Sequence, residues 1–248
     1  MADKSFIGKG RVFIGPYAQN GANRPIGNCS KLELAIEQET KDLLDYTQAG
    51  GGKANSLTRI TAVRANMTLH DIDGNNLAMA IYGSNTAQTG VTAITDESIV
   101  NVYKGTTGGF AKTARLINTA QTVVVKVAPS TVKTAGTDYV VRPTGIEIPS
   151  GSTIADLDDL LVSYTPVAED QVEALVNSGT EFKLFFDGLN EAQSSKPVSV
   201  ILHRVKFTPT SGLGFIGDDF LGMEISAEVL SDSAQSTGST YFDIRISQ

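Results

Sequence analysis

Three stretches of the chain spell out parts of ligand sites. Gly212-Leu213-Gly214-Phe215-Ile216-Gly217 matches the GxGxxG pattern in which backbone amides cradle a dinucleotide pyrophosphate. That chemistry needs a strand feeding a long helix, and Pro209 before the stretch with Gly222 after it leave a turn as the better reading. Gly50-Gly51-Gly52-Lys53 approaches a phosphate loop, yet Ala54 holds the magnesium-ligand position and Thr47 the place of the first glycine. Asp71, Asp73 and Asn75 copy the first half of a calcium loop, but Tyr82 stands where the bidentate Glu belongs. A capping turn at the start of a helix accounts for them better.

The remaining reactive residues are scattered. His70 and His203 fall in separate alternating segments with no cysteine beside them, so no zinc-type ligand set forms. Cys29 would need a neighbouring His or a cationic setting to become a nucleophile, and it has only turn residues around it. Carboxylates are numerous, but no spacing singles out a pair for acid/base work. The chain reads as a protein that is not an enzyme and uses no cofactor or metal.

Around these residues the pattern is that of strands. The chain is organised about a long hairpin over residues 31–72: an alternating arm KLELAIEQETKDLLDY, a polar link TQAGGGKANSL, and a second arm TRITAVRANMTLHDI. In the first arm Leu32, Leu34 and Ile36 share one face, and Lys31, Glu33, Ala35, Glu37 and Glu39 share the other. In the second, Val63, Ala65, Met67 and Leu69 oppose Arg64, Asn66, Thr68 and His70. Period two with one polar face predicts half-buried strands. Both arms exceed the usual strand of about 5–6 residues, so the hairpin builds an extended surface, and Arg64 is placed to pair across it with Glu33 or Glu37.

Before the hairpin, residues 5–15 predict a short strand and 16–25 a polar loop. After it, Asn75 or Asn76 is expected to cap a helix over residues 77–82 that Gly83 ends. Residues 84–95 are small and polar and read as a linker or a domain boundary. Apolar runs at 98–103, 114–117, 123–127, 139–141, 146–148 and 160–164, separated by Gly and Pro turns, predict a small β-sandwich or barrel inserted at 96–168. The outer domain, 1–95 with 169–248, resumes with strands at 181–186 and 198–207, a turn at 187–190, a loop or short helix at 213–220, and strands at 221–230 and 241–246. The expected class is mainly β: an antiparallel β-sandwich or barrel with a flanking short helix and a long hairpin, plus the inserted small β-sandwich.

A hydrophobic share of 41% suffices for a core, and a net charge of −7 with pI near 4.9 opposes gripping nucleic acid through phosphates. With one cysteine no intramolecular disulfide can form. No apolar run reaches the length of a membrane span, and the first residues lack a signal-peptide pattern, so synthesis in the cytoplasm without a membrane anchor is expected.

Several segments taken together carry a resemblance. Arg24-Pro25-Ile26-Gly27-Asn28 with Leu32-Glu33-Leu34, Asn76-Leu77-Ala78-Met79-Ala80-Ile81-Tyr82-Gly83, Phe185-Phe186-Asp187-Gly188-Leu189-Asn190-Glu191-Ala192, and Gly217-Asp218-Asp219-Phe220 followed by Glu228-Val229-Leu230 resemble the major tail tube proteins of tailed bacteriophages. The likeness covers most of residues 5–92 and 170–248. The 96–168 segment, with GTDYVV and GIEIPSGSTI, looks like a phage-associated β-domain. The resemblance implies a virion protein made in the host bacterium. Its subunits would form homohexameric rings stacked into a tube around a tape-measure protein, bounded by tail terminator and baseplate or tip proteins. Genomic DNA would pass through the tube without specific binding.

On that reading Glu33, Glu37, Glu39, Arg64, Asn66 and Thr68 line the lumen, and Gln48, Gly50, Gly51, Gly52, Lys53 and Asn55 form a loop that meets the next ring. The alternative is a receptor- or carbohydrate-binding β-protein that recognises its ligand through the inserted domain. Tyr103, Phe110, Tyr139 and Tyr164 are its candidate aromatics, with core packing the expected use of Tyr139 and Tyr164.

Overall fold

Alternation and strand-forming residues govern the tertiary structure, a computed structural model that describes residues 4–18, 23–47 and 49–247. The chain begins with β1 (Gly8–Pro16), β2 (Arg24–Pro25), β3 (Cys29–Leu44), β4 (Lys53–Leu69), the helix α1 (Gly74–Ala80) and β5 (Ser84–Gln88). Short strands follow: β6 (Ile94–Ile99), β7 (Gly109–Lys112), β8 (Val124–Val127), β9 (Thr131–Val132), β10 (Val140–Arg142), β11 (Gly145–Ile148), β12 (Leu160–Tyr164) and β13 (Glu169–Glu173). The last stretch holds β14 (Glu181–Asn190), a 3-10 turn at Glu191–Gln193, β15 (Lys196–Thr208), β16 (Met223–Val229) and β17 (Phe242–Ile246). The protein is mainly β with antiparallel sheets, and α1 is the one α-helix among the described residues.

The largest sheet runs β2-β1-β14-β15-β16-β4-β3, and β17 lies beside β15. The long β15 is shared along one edge, residues 198–202 pairing with β17 and 205–208 with β16. Register sets the core: Met67 faces Ile225 and Ala65 faces Ala227 across the β4–β16 pair, so alternate residues of both strands enter one cluster. Val63, Leu69, Leu184, Leu202, Phe207 and Ala80 of α1 complete it. Each large apolar side chain so buried stabilises the fold by about 1.5–3 kcal/mol relative to exposure.

The helix is too short to stand alone and is held by its ends and its packing. Asp73 caps it, its carboxylate accepting from the Asn76 amide at 2.7 Å. Asn76 is fully buried and satisfied: its Nδ2 donates to Ile26 O and Asp71 O, and its Oδ1 accepts from Arg24. The helix therefore starts three residues before the expected 77, because the capping carboxylate lies ahead of the two asparagines. Tyr82 turns left-handed, and Gly83 N–H donates to Ala78 O at 2.7 Å, ending it as expected.

Other expectations fail locally, wholly or in part. Residues 187–190 form no turn; β14 continues through them, since Gly188 lies against Gly10 of β1 where a side chain would collide with the facing backbone. The chain reverses later, at Glu191–Gln193, with Asn190 accepting from the Ala192 amide and Ser194 and Ser195 at positive φ. Residues 114–117 are not a strand. The amides of Ala114, Arg115 and Leu116 donate to Glu97, the Tyr164 hydroxyl and Glu169, so side chains replace a ladder. Residues 84–95 do contain the division between two compact units, after Asn85, but they are not plain linker, because β5 pairs with β13 in a two-stranded sheet.

The chain divides into two compact units, Met1–Asn85 with Val172–Gln248, and Thr86–Gln171. The second has its own core of Val125, Ile146, Ile148, Leu160, Val162 and Tyr164 between a three-stranded sheet, β10-β11-β7, and a four-stranded one, β6-β12-β8-β9. Carboxylates brace its turns. Asp138 accepts from the amides of Thr134 and Thr153 and from the Thr153 hydroxyl, and these bonds hold its carboxyl at about 2. Asp156 accepts from the amides of Lys104 and Gly105.

Candidate assembly interface

The β3–β4 hairpin has two halves, divided by where its neighbour stops. β16 pairs with β4 only from residue 64 to residue 69. Over that half Ala65, Met67 and Leu69 are buried, as is Val63 at its margin. Beyond it neither strand of the ribbon pairs with a third strand among the described residues. Just past this point Thr61 is an extra residue on β4: Glu37 pairs with Ala62 and Gln38 with Ile60, a bulge that increases the local twist.

The distal half carries apolar side chains on both faces. Leu43 and Leu57 share the face of Glu39, Ile60 and Leu44 lie on the opposite one, and all are exposed. Ile36, expected on the dry face, is on that face but 57% exposed, because the core ends beside it. A two-stranded ribbon is marginal by itself in water. The outer edge of β3 also presents a long row of unpaired backbone groups, the kind of edge that templates pairing with another chain.

The six residues expected on the lumen share one face by register: Glu33 opposite Asn66, Glu37 diagonal to Arg64, and Glu39 opposite Arg59 further out. Arg64 Nε donates to Glu37 Oε1 at 2.7 Å, so its partner is Glu37 rather than Glu33. Glu33 instead pairs with Lys31 at 2.6 Å, and Glu33 in turn raises the Lys31 pKa. Asn66 accepts from the Ser226 hydroxyl, and Thr68 lies opposite Glu224. Glu224, Glu228 and Lys206 extend this face across β16 and β15. Sequence reasoning missed them, although the alternation of 221–230 puts Glu224 and Glu228 opposite the buried Met223, Ile225, Ala227 and Val229. Over β3, β4 and β16 this face carries the carboxylates Glu33, Glu37, Glu224 and Glu228 beside Lys31 and Arg64, and at Lys206 of β15 it continues to the Arg204–Glu181 pair at 2.6 Å.

At the tip, Gln48 lies outside the described residues. Asp45 N–H donates to Gly52 O, Gly50 adopts a φ of +83°, and Asn55 accepts from the Ser56 amide. Lys53 pairs with Asp42 at 2.7 Å, and with the Ser56 hydroxyl holds that carboxyl below its usual range. Gly50, Gly51, Gly52, Lys53 and Asn55 are all exposed. A Cβ on Gly50 or Gly52 would touch nothing, so close packing within the chain is not why glycine stands there.

The other stretches with ligand-site spellings serve local structure. Residues 212–217 lie in an irregular loop with neither strand nor helix, and Phe215, Ile216 and Phe220 stand almost wholly in solvent. Asp71 accepts from the Asn28 amide, next to the Asp73 cap. The Cys29 thiol donates to Lys31 O at 2.9 Å, and burial pushes its pKa up, away from a nucleophile's setting. His203 is buried, its Nε2 3.5 Å from Asp243 of β17. Tyr139 and Tyr164 are core residues, whereas Tyr103 and Phe110 are exposed.

Residues 5–245 match a family described as "Protein of unknown function UCP028589". No curated protein matches the chain.

Proposed function

We propose that this chain, which belongs to the family of unknown function matched over nearly its whole length, is a self-assembling structural subunit of a phage tail tube. One observation carries the reading. The distal half of the β3–β4 hairpin leaves the core with apolar side chains on both faces and an open strand edge, so its stable form requires another copy to cover it.

Strand pairing between copies around a ring would continue the polar face of β3, β4 and β16 along an inner wall. Glu33, Glu37, Glu39, Arg64, Asn66 and Thr68 would then face the lumen, and the exposed tip around Gly50, Lys53 and Asn55 would reach the adjacent ring. Cations on that wall are met by carboxylates, Arg64 by Glu37 and Lys31 by Glu33. A wall neutralised in this way gives DNA few phosphate contacts, which suits passage rather than binding. On this reading the protein is a virion component with a structural rather than catalytic role. Its partners are further copies in hexameric rings, a tape-measure protein, and terminator and baseplate proteins.

Negative-stain electron microscopy of the purified protein across a concentration series, with light scattering for mass, tests it. Rings or tubes with a central channel are expected. A monodisperse monomer at every concentration would sink the reading.

A second reading, carbohydrate binding by the 86–171 unit, draws on exposed Tyr103 and Phe110. It requires saturable oligosaccharide binding by the full chain that Tyr103→Ala with Phe110→Ala abolishes while assembly is unchanged.

A further inference from the structure

The self-assembly reading leaves open how neighbouring copies recognise each other away from the hairpin, and two features of the outer unit fit one another. The first is a cavity of about 360 Å³ beside α1, within the range of ordinary binding pockets. Ala78, Met79, Phe182 and Phe207 give it apolar walls, and Arg24 and Asn75 stand among its polar residues. Arg24 donates to two neutral acceptors, Asn76 Oδ1 at 2.8 Å and Pro25 O at 3.4 Å, so its guanidinium keeps donors for a carboxylate.

The second feature is the loop at 213–220. Its base is anchored, with Leu213 packed against the core. Its outer residues are not: Phe215 is 76% exposed, Ile216 97% and Phe220 99%, with the exposed carboxylates Asp218 and Asp219 between them. Large apolar side chains this exposed at the end of an anchored loop are unusual on a lone monomer. Apolar side chains next to acidic ones are what a cavity with apolar walls and an available arginine accepts.

We propose that the 213–220 loop of one copy seats in the α1 cavity of a second copy, Phe215 and Ile216 against Met79 and Phe182, with Asp218 or Asp219 on Arg24. The inference rests on the self-assembly reading and names a contact within it. Because donor and acceptor patches differ, the contact is head-to-tail, the type that closes into rings when the rotation allows.

The test mixes two full-length variants, both carrying Cys29→Ser to remove the native thiol. One also carries Ile216→Cys in the loop, the other Asn75→Cys at the cavity. Under mild oxidation at assembling concentration, a disulfide-linked heterodimer is expected in the mixture and neither homodimer alone. Arg24→Glu should raise the concentration needed for assembly at least tenfold, and Asp218→Lys with Asp219→Lys should restore it. Rings or tubes seen by microscopy without the heterodimer would overturn the docking while leaving the self-assembly reading standing. A monomer at every concentration for the unmodified chain would overturn both.

Discussion

Met67 and Ile60 lie on the same strand, β4, and the first is 2% exposed while the second is 66% exposed. Both belong to an alternating segment, and both have a β3 residue across from them, Leu32 and Gln38. What separates them is a second strand: Met67 pairs also with Ile225 of β16, whereas among the described residues Ile60 has no strand partner on that side. The proximal half of the hairpin is thus part of a core, whereas the distal half is a largely polar ribbon that leaves Leu43, Leu44, Leu57 and Ile60 exposed. Burial in a sheet depends on the number of layers and neighbours as much as on the strand's own pattern.

The comparison breaks most sharply if a charge is placed in each half. Met67→Asp puts an unpaired carboxylate into the closed cluster and is expected to cost more than about 3 kcal/mol, enough to unfold the outer unit in chemical denaturation. Ile60→Asp should leave the unfolding free energy within about 0.5 kcal/mol of the parent yet abolish rings or tubes in electron micrographs. If both variants unfold alike, the distal half is part of the folding core after all.

Removing the distal half sharpens the contrast. Replacing residues 38–61 with Asn-Gly joins Glu37 to Ala62, a directly opposed pair, through a favoured two-residue turn. The shortened chain should melt within about 1 kcal/mol of the parent, since closing a shorter loop costs little, and should stay monomeric by light scattering.

Acid separates the halves in a third way. In the body, Asp232 accepts from the Tyr17 hydroxyl, Gln235 Nε2 and the Ala234 amide, and these bonds hold it at about 2. Its folded pKa is depressed below the ordinary 3.8, so its contribution to stability is complete above that value and is lost as pH falls toward about 2. Thermal melts between those limits should show a downward slope that Asp232→Asn reduces. Asp42 at the distal end is also depressed, by Lys53 first and Ser56 second, but it is exposed, and Asp42→Asn should leave the slope of the melt unchanged. A small effect is also expected at the Arg64–Glu37 pair: Glu37→Ala should change stability by about 0–1 kcal/mol, because both partners are solvent-screened.

The alternation over 31–69 was legible in the residues, as were the polar face it generates, the antiparallel β class, the strand starting near 181 and the three strands after it, and the glycine that ends α1. The strand features follow from a local rule, since side-chain direction alternates along any strand; the end of the helix is marked by Gly83, although Tyr82 is the residue that takes the positive φ. Other features came only from tertiary structure. Whether Ile36 is buried depends on where β16 ends, far away in sequence, and the bulge at Thr61 depends on how two long strands stay in register. Asp187-Gly188 has the letters of a turn and lies inside a strand because Gly10 of β1 faces it across the ladder. The exposed Phe215, Ile216 and Phe220 look from composition like core residues, and only the packing of the outer unit leaves them outside. The sequence by itself determined which way each side chain points along its strand. Which of those directions meets another layer, and which meets water, was decided by contacts between distant segments that no local pattern encodes.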